Sequence, residues 1–164
     1  MKVCLMAALA LAALAVVKAE ASAEEVVAAY VDDRSDGAAL VRSLYNAINR
    51  KEYARAYGYF AETQPVGGFA DFSRGYANTI SVEVRIGKVT TEGAAGSVYA
   101  AIPVAVKSIE RPTKTRLFAG CYVARIINPA QQAPPFTPYQ IEAARLKEVE
   151  GPIEQAIPAV CDVP

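Results

Sequence analysis

The stretch Ile80-Ser81-Val82-Glu83-Val84-Arg85-Ile86 alternates apolar and polar side chains without a fault. Alternation of this kind puts Ile80, Val82, Val84 and Ile86 on one side of an extended chain. Ser81, Glu83 and Arg85 fall on the other, which makes a half-buried strand. Two longer segments continue in the same character. Residues 98–109 carry Val98, Ala100, Ile102, Val104 and Val106 on one side, and residues 115–127 are apolar on both, so both faces of that strand are expected to be covered. Glu92-Gly93-Ala94-Ala95-Gly96 and Arg111-Pro112-Thr113-Lys114 read as the turns between them. Pro103 falls mid-strand. A proline has no N–H to give to a ladder, so this position is expected at an edge or a bulge.

Upstream of the strands the apolar residues recur at helical spacing. Asp36 can cap a helix, with its carboxylate at the positive end of the helix dipole. Leu40, Val41, Leu44 and Ile48 then form one stripe, with Arg42, Asn46 and Asn49 outside it, giving a helix over 37–50. Tyr53, Ala56, Tyr57 and Phe60 mark a second short helix, broken by Pro65 and Gly67-Gly68. Phe69, Phe72 and Tyr76 mark a third, ending near Gly75.

Downstream, residues 128–138 (NPAQQAPPFTP) read as a semi-rigid loop. Residues 139–149 carry two conflicting signals. Thr137, Pro138 and Gln140 supply a helix cap, an N-terminal proline and a capping box, and Gly151-Pro152 a stop. Against this, Tyr139, Ile141 and Ala143 alternate as a strand does.

Helices first and long antiparallel strands after them indicate an α+β domain. The chain resembles the nuclear-transport-factor-2-like superfamily, also called the cystatin-like or cone-shaped α+β barrel fold, and in particular its exported bacterial members without assigned activity. The residues that carry the likeness are Leu44-Tyr45-Asn46-Ala47-Ile48, Tyr57-Gly58-Tyr59-Phe60, Phe72-Ser73-Arg74-Gly75-Tyr76 and the strand 80–86, with two longer strands following. The resemblance spans residues 36–149. It implies N-terminal helices on a curved antiparallel sheet of about four strands, closed by a last strand at Tyr139-Gln140-Ile141. On that ground residues 139–149 are assigned as a strand. Sheet-to-sheet homodimerisation is also implied by the resemblance.

Residues 1–23 read as an address. Lys2 precedes an unbroken apolar run over 3–17, and Ala21-Ser22-Ala23 offers a small-x-small cleavage site. The run is shorter than the roughly 20 residues of a membrane-spanning helix. We therefore expect a signal peptide over 1–23, a loose leader over 24–35, one domain over 36–164, and a periplasmic or secreted product with no membrane span after cleavage. The whole chain has 17 basic and 17 acidic side chains, and loss of Lys2, Lys18 and Glu20 leaves the remainder one charge negative. That balance gives no basic excess for nucleic acid.

Cys4 leaves with the signal peptide, so Cys121 and Cys161 remain, an even pair that in an oxidising compartment reads as one disulfide. Two free thiols or a metal pair are the competing readings. The chain has no histidine, and tetrahedral zinc usually takes four Cys or His ligands, so no metal is expected.

The same lack of histidine excludes Ser-His-Asp and Cys-His catalysis and removes the commonest general base. No phosphate-cradling glycine loop is present, and no cofactor is expected. Catalysis by resemblance would fall to a carboxylate or tyrosine in the mouth of the cone. Asp71 and Arg74, one helical turn apart, can pair, with Asp71 as a candidate base if it faces a closed apolar cavity and Arg74 as an anion holder. Their bland reading is a surface ion pair. Glu83, Arg85, Tyr99 and Tyr122 are further candidate ligand contacts, against a solvated strand face and packing tyrosines. Tyr45, Tyr53, Tyr57 and Tyr59 read as a helix–sheet seam or a ligand-stacking wall.

With no catalytic group assembled, we read an exported non-enzymatic domain that binds a small apolar ligand or a protein partner. The alternatives are an isomerase, dehydratase or cyclase-type enzyme with a pocket carboxylate, and an envelope structural or inhibitor protein acting through 128–138.

Overall fold

The computed structural model describes residues 27–62 and 67–161. The expected signal peptide, the start of the leader and Pro65 lie outside them. Three helices, α1 (Gly37–Asn49), α2 (Tyr53–Tyr57) and α3 (Phe69–Gly75), precede the strands β1 (Thr79–Ile86), β2 (Thr90–Ala94), β3 (Ser97–Glu110), β4 (Lys114–Ile127) and β5 (Gln140–Val149). The strands make one antiparallel five-stranded sheet in the order β1-β3-β4-β5, with β2 also on β3.

Helix α1 starts where the sequence indicates, because the Asp36 carboxylate accepts the Ala39 N–H at 2.8 Å. Its stripe of Leu40, Val41, Leu44 and Ile48 is fully buried against the sheet. At its far end Asn49 fixes the docking: its amide donates to Val82 O (2.8 Å) and accepts from Val82 N (2.7 Å). Residues 27–35 have no helix or strand, yet they are tied to the helices. Val31 N donates to Asn46 Oδ1 (3.0 Å), Asp33 N donates to Ser43 Oγ (2.7 Å), and the Tyr59 hydroxyl donates to Asp32 (3.0 Å).

Two details depart from the alternation in sequence. First, the expected turn at 92–96 is mostly strand: β2 runs to Ala94, and only Ala95-Gly96 turn the chain. All of β2 is exposed, so no buried side chain writes a period into it. Second, Pro103 lies at neither an edge nor a bulge but inside the central strand β3. The partners of β3 on one side change from β1 to β2 at this point, because residues 87–89 belong to neither. The Pro103 carbonyl accepts the Gly87 N–H at 2.8 Å. In an antiparallel pair a residue's N–H and C=O face the same neighbour, so the missing proline N–H points at the break, where no ladder partner is lost.

The 139–149 conflict resolves as a strand. Ile141 is fully buried, and its backbone bonds outward to α2's exit: Ala61 N to Ile141 O and Ile141 N to Tyr59 O, both 2.9 Å. Pairing with β4 on the other side overrides the local capping signals.

The two faces of the sheet do different work. The inner face carries the helices. Across the outer face run residues 151–161. Ile153 is buried with Ala105 and Leu117, and Cys161 is disulfide-bonded to Cys121 with Cα atoms 5.8 Å apart. Strand β4 is thus partly covered on both sides, as its two-sided apolar sequence requires.

Curvature centres on Gly120, which pairs with Leu146. A Cβ there would collide with the Arg145 carbonyl oxygen and come within 2.8 Å of Leu146 Cα. Both are backbone atoms that cannot swing away. The absent side chain lets β5 curl over β4. Gly120→Ala is expected to cost about 2–3 kcal/mol, as overpacking against fixed atoms does. Urea denaturation should show a lowered midpoint, and an unchanged midpoint would exclude this account of the curl.

Candidate functional site

The curled sheet, α1, α3 and the segment after α2 form a partly open cavity of about 420 Å³. Its walls are aromatic and aliphatic: Phe60 and Phe72 from the helical side, Val82 from β1, Val106 from β3, Phe118 from β4, and Ala144 and Leu146 from β5. The strands supply these residues by parity. Val106 and Ser108 on β3, and Phe118 and Tyr122 on β4, share the inner face because they stand two or four residues apart. The rings interlock edge to face, Phe72 with Tyr57, Phe60 and Tyr76 at centroid distances of 5.5, 5.8 and 5.2 Å.

Tyr45, Tyr76, Thr79, Ser108 and Tyr122 bring hydroxyl-bearing side chains to this lining, and two of these hydroxyls are bonded to each other. Tyr45 from α1 and Tyr122 from β4 share a hydrogen bond of 2.7 Å, with their rings edge to face at 6.4 Å. Both residues line the cavity and are buried, 5% and 3% exposed. Burial raises the pKa of both above the ordinary tyrosine value, most strongly because the phenolate would be desolvated. The pair is therefore neutral at physiological pH.

The charged side chains of the lining are Asp71, Glu110 and Arg116, and each has an ion-pair partner. Arg116 gives two hydrogen bonds to Glu148 (3.0 and 2.8 Å), approaches Glu110 at 3.7 Å and lies 4.7 Å over the Phe118 ring. The Ser108 hydroxyl donates to Glu110 at 3.0 Å. Among the described residues no group of three or more Cys, Asp or Glu is placed to hold a metal ion.

Of the six polar residues singled out in the sequence, the structure brings two to the cavity. Tyr122 stands in its lining. Asp71 lines it too, but its side chain is 69% exposed and pairs with Arg74 (2.7 Å), itself 73% exposed. Asp71 thus faces water, and the condition for its acting as a base in a closed cavity is not met. Arg74 is outside the wall. Glu83 and Arg85 pair with each other at 2.7 Å, and Glu83 also with Lys107, on the outer face of the sheet. They occupy the odd positions of β1, opposite the cavity-lining Val82. Tyr99 shares the outer face and carries Arg125 5.8 Å from its ring centre.

The sequence reading missed Ser108, Glu110 and Arg116, and placed Tyr45 only within a tyrosine cluster. That cluster in fact divides. Tyr53 stacks on Tyr76 and Tyr57 packs on Phe69 and Phe72. Tyr59 is fully buried, held by Arg55 (2.8 Å) and Asp32. A legible signal for Tyr45 existed: it is a hydroxyl-bearing residue on the otherwise aliphatic stripe of α1.

The raised tyrosine pKa values fix a sign. The folded state holds protons that an unfolded chain releases near pH ~10, so this contribution is present below that pH and is lost above it. The unfolding free energy should fall between about pH 10 and 12 by up to ~1.4 kcal/mol per pH unit per tyrosine. The fall should be shallower in Tyr45→Phe/Tyr122→Phe. Parallel stability–pH curves for the two proteins would contradict the neutral-pair assignment.

No family model and no curated protein matches this chain. Among solved structures, a scytalone dehydratase-like protein of Novosphingobium aromaticivorans superposes with a TM-score of 0.50 at 6% identity, covering 68% of this chain and 80% of that one. An aromatic ring hydroxylase-like protein from the same organism gives 0.47 at 13% identity, covering 67% of this chain and 88% of that one. The likeness is one of fold: three helices on a curled antiparallel sheet, which is the nuclear-transport-factor-2-like cone-shaped α+β fold.

Proposed function

We propose that this protein is an exported, non-enzymatic binding domain whose cone takes a small, uncharged, ring-bearing molecule with one oxygen acceptor. The observation that carries this reading is the hydroxyl pair in an aromatic-walled cavity. In a hydrogen bond between two hydroxyls, one donates and the other accepts. The accepting tyrosine keeps its own hydrogen. Among the described residues no further partner of either hydroxyl stands within bonding distance. A ligand carbonyl, ether or hydroxyl oxygen can take that hydrogen, while the walls bury its carbon skeleton at roughly 25 cal/mol per Å². An ionised ligand would lose its hydration with no unpaired counter-charge in the wall to replace it.

Binding is favoured over catalysis because no carboxylate is poised inside. Asp71 is at the water-exposed rim, and Glu110 is engaged by Ser108 and Arg116. The Cys121–Cys161 disulfide supports a periplasmic or secreted setting. A protein partner through the sheet is less favoured, since residues 151–161 cover part of that face.

1-Tetralone, an aryl ketone, and naphthalene, which lacks the oxygen, make the decisive pair of probes. Tyr45→Phe/Tyr122→Phe should weaken tetralone binding by about 3–10-fold, the worth of one hydrogen bond, and leave naphthalene binding unchanged. Ala144→Phe, which fills the cavity, should weaken both. Calorimetric titration showing equal tetralone affinity in the wild type and the double variant would overturn the reading.

A further inference from the structure

The segment 151–161 is held to the outer face in an unusual way. Among the described residues, its backbone–backbone hydrogen bonds are two within itself, Gln155 N to Pro152 O (3.1 Å) and Ala156 N to Ile153 O (3.3 Å). No ladder joins it to the sheet. Its apolar hold is narrow. Ile153 is buried against Ala105 and Leu117. Ile157 fits where Gly87 has no side chain: a Cβ on Gly87 would lie 2.7 Å from Ile157 Cγ2 and 3.2 Å from Pro103 Cβ. Most of the rest is exposed, Val160 to 75%. The far end is fixed by the bond from Cys161 to Cys121. Ile153 and Ile157, with the partly buried Ala156 beside them, are little to set against the backbone freedom that so many ordered residues give up.

Beneath the segment, the sheet is complete without it. Strands β3 and β4 pair continuously through Pro103↔Cys121, Ala105↔Ala119 and Lys107↔Leu117. The cavity and the main core lie on the opposite face.

We propose that residues 151–161 are a redox-released strap: reduction of Cys121–Cys161 frees them from the outer face while the cone and its cavity stay folded. The reductant is a dithiol. It supplies two electrons and two protons, the sulfur–sulfur bond breaks, Cys121 and Cys161 become thiols, and the dithiol closes to its own disulfide. The release bares Ala105 and Leu117 on the outer face. The proposal is independent of what the cone binds.

Glu154 lies within the strap and is exposed, but a glutamate-specific endoprotease needs an extended, locally unfolded segment to cut after it. Limited proteolysis of the protein with and without dithiothreitol, read by intact mass, gives the rate of this cut. Reduction should speed cleavage after Glu154 at least ~10-fold, as release of a local unit does, while hydrogen exchange in β3 and β4 stays as slow as before. Cys121→Ser/Cys161→Ser should behave as the reduced protein without any reductant; if that variant does not fold, the reduced wild type still decides. An unchanged cleavage rate on reduction would overturn the proposal. So would accelerated exchange throughout β3 and β4, which would make the bond a support of the whole fold.

Discussion

The antiparallel ladder between β3 and β4 is the constraint on which the other parts depend. Each strand has 14 residues, and they are paired from Ser97↔Ile127 to Glu110↔Lys114. Because side chains alternate along a strand, this one register assigns every residue of both strands to a face. It gathers Val106, Ser108, Phe118 and Tyr122 toward the helices and sends Ala105, Leu117 and Cys121 the other way. A slip of one residue would exchange the cavity wall for the outer surface. It would also carry Cys121 away from Cys161.

The helices close what the ladder opens. α1 brings Tyr45 over Tyr122, and the Asn49–Val82 exchange sets where α1 ends relative to β1. The short α3 adds Phe72, the ring at the centre of the edge-to-face cluster. The curl at Gly120 supplies the remaining wall by folding Ala144 and Leu146 of β5 inward. The hollow is therefore made by three independent devices, and its polar pair joins residues 77 positions apart in the chain.

Much of this was legible in the residues themselves. The stripe Leu40, Val41, Leu44 and Ile48 gave α1, and strict alternation gave β1, because in both cases a buried face imposes its period on the sequence. β2 left no trace, since none of its side chains is buried. Pro103 misled because its tolerance depends on where a neighbouring strand stops, which no local pattern contains. The candidate site was legible in part. Tyr99 and Tyr122 were both named for hydroxyls that could reach a pocket, and only Tyr122 lines it, because the β3–β4 register puts the two on opposite faces. Glu83 and Arg85 were placed on a polar face whose side of the sheet the alternation alone does not decide. Ser108, Glu110 and Arg116 meet only through the β3–β4 and β4–β5 pairings, and their grouping exists nowhere along the chain. The final strand shows the reverse case: local capping signals pointed to a helix, and the bonds of Ile141 to Tyr59 and Ala61, together with the pairing of the strand on β4, outweighed them.

The interruption at residues 87–89 also bears on how the molecule behaves in a crowded solution. An unbroken flank along β3 would leave one long row of unsatisfied amides and carbonyls, a template on which a foreign strand can grow. Here that margin is divided into a piece of 8 residues and a piece of 5. An incoming chain would find two brief footholds with a gap between them. The proline that looked like a flaw in a central strand thus accompanies a safeguard against fibrillar accretion.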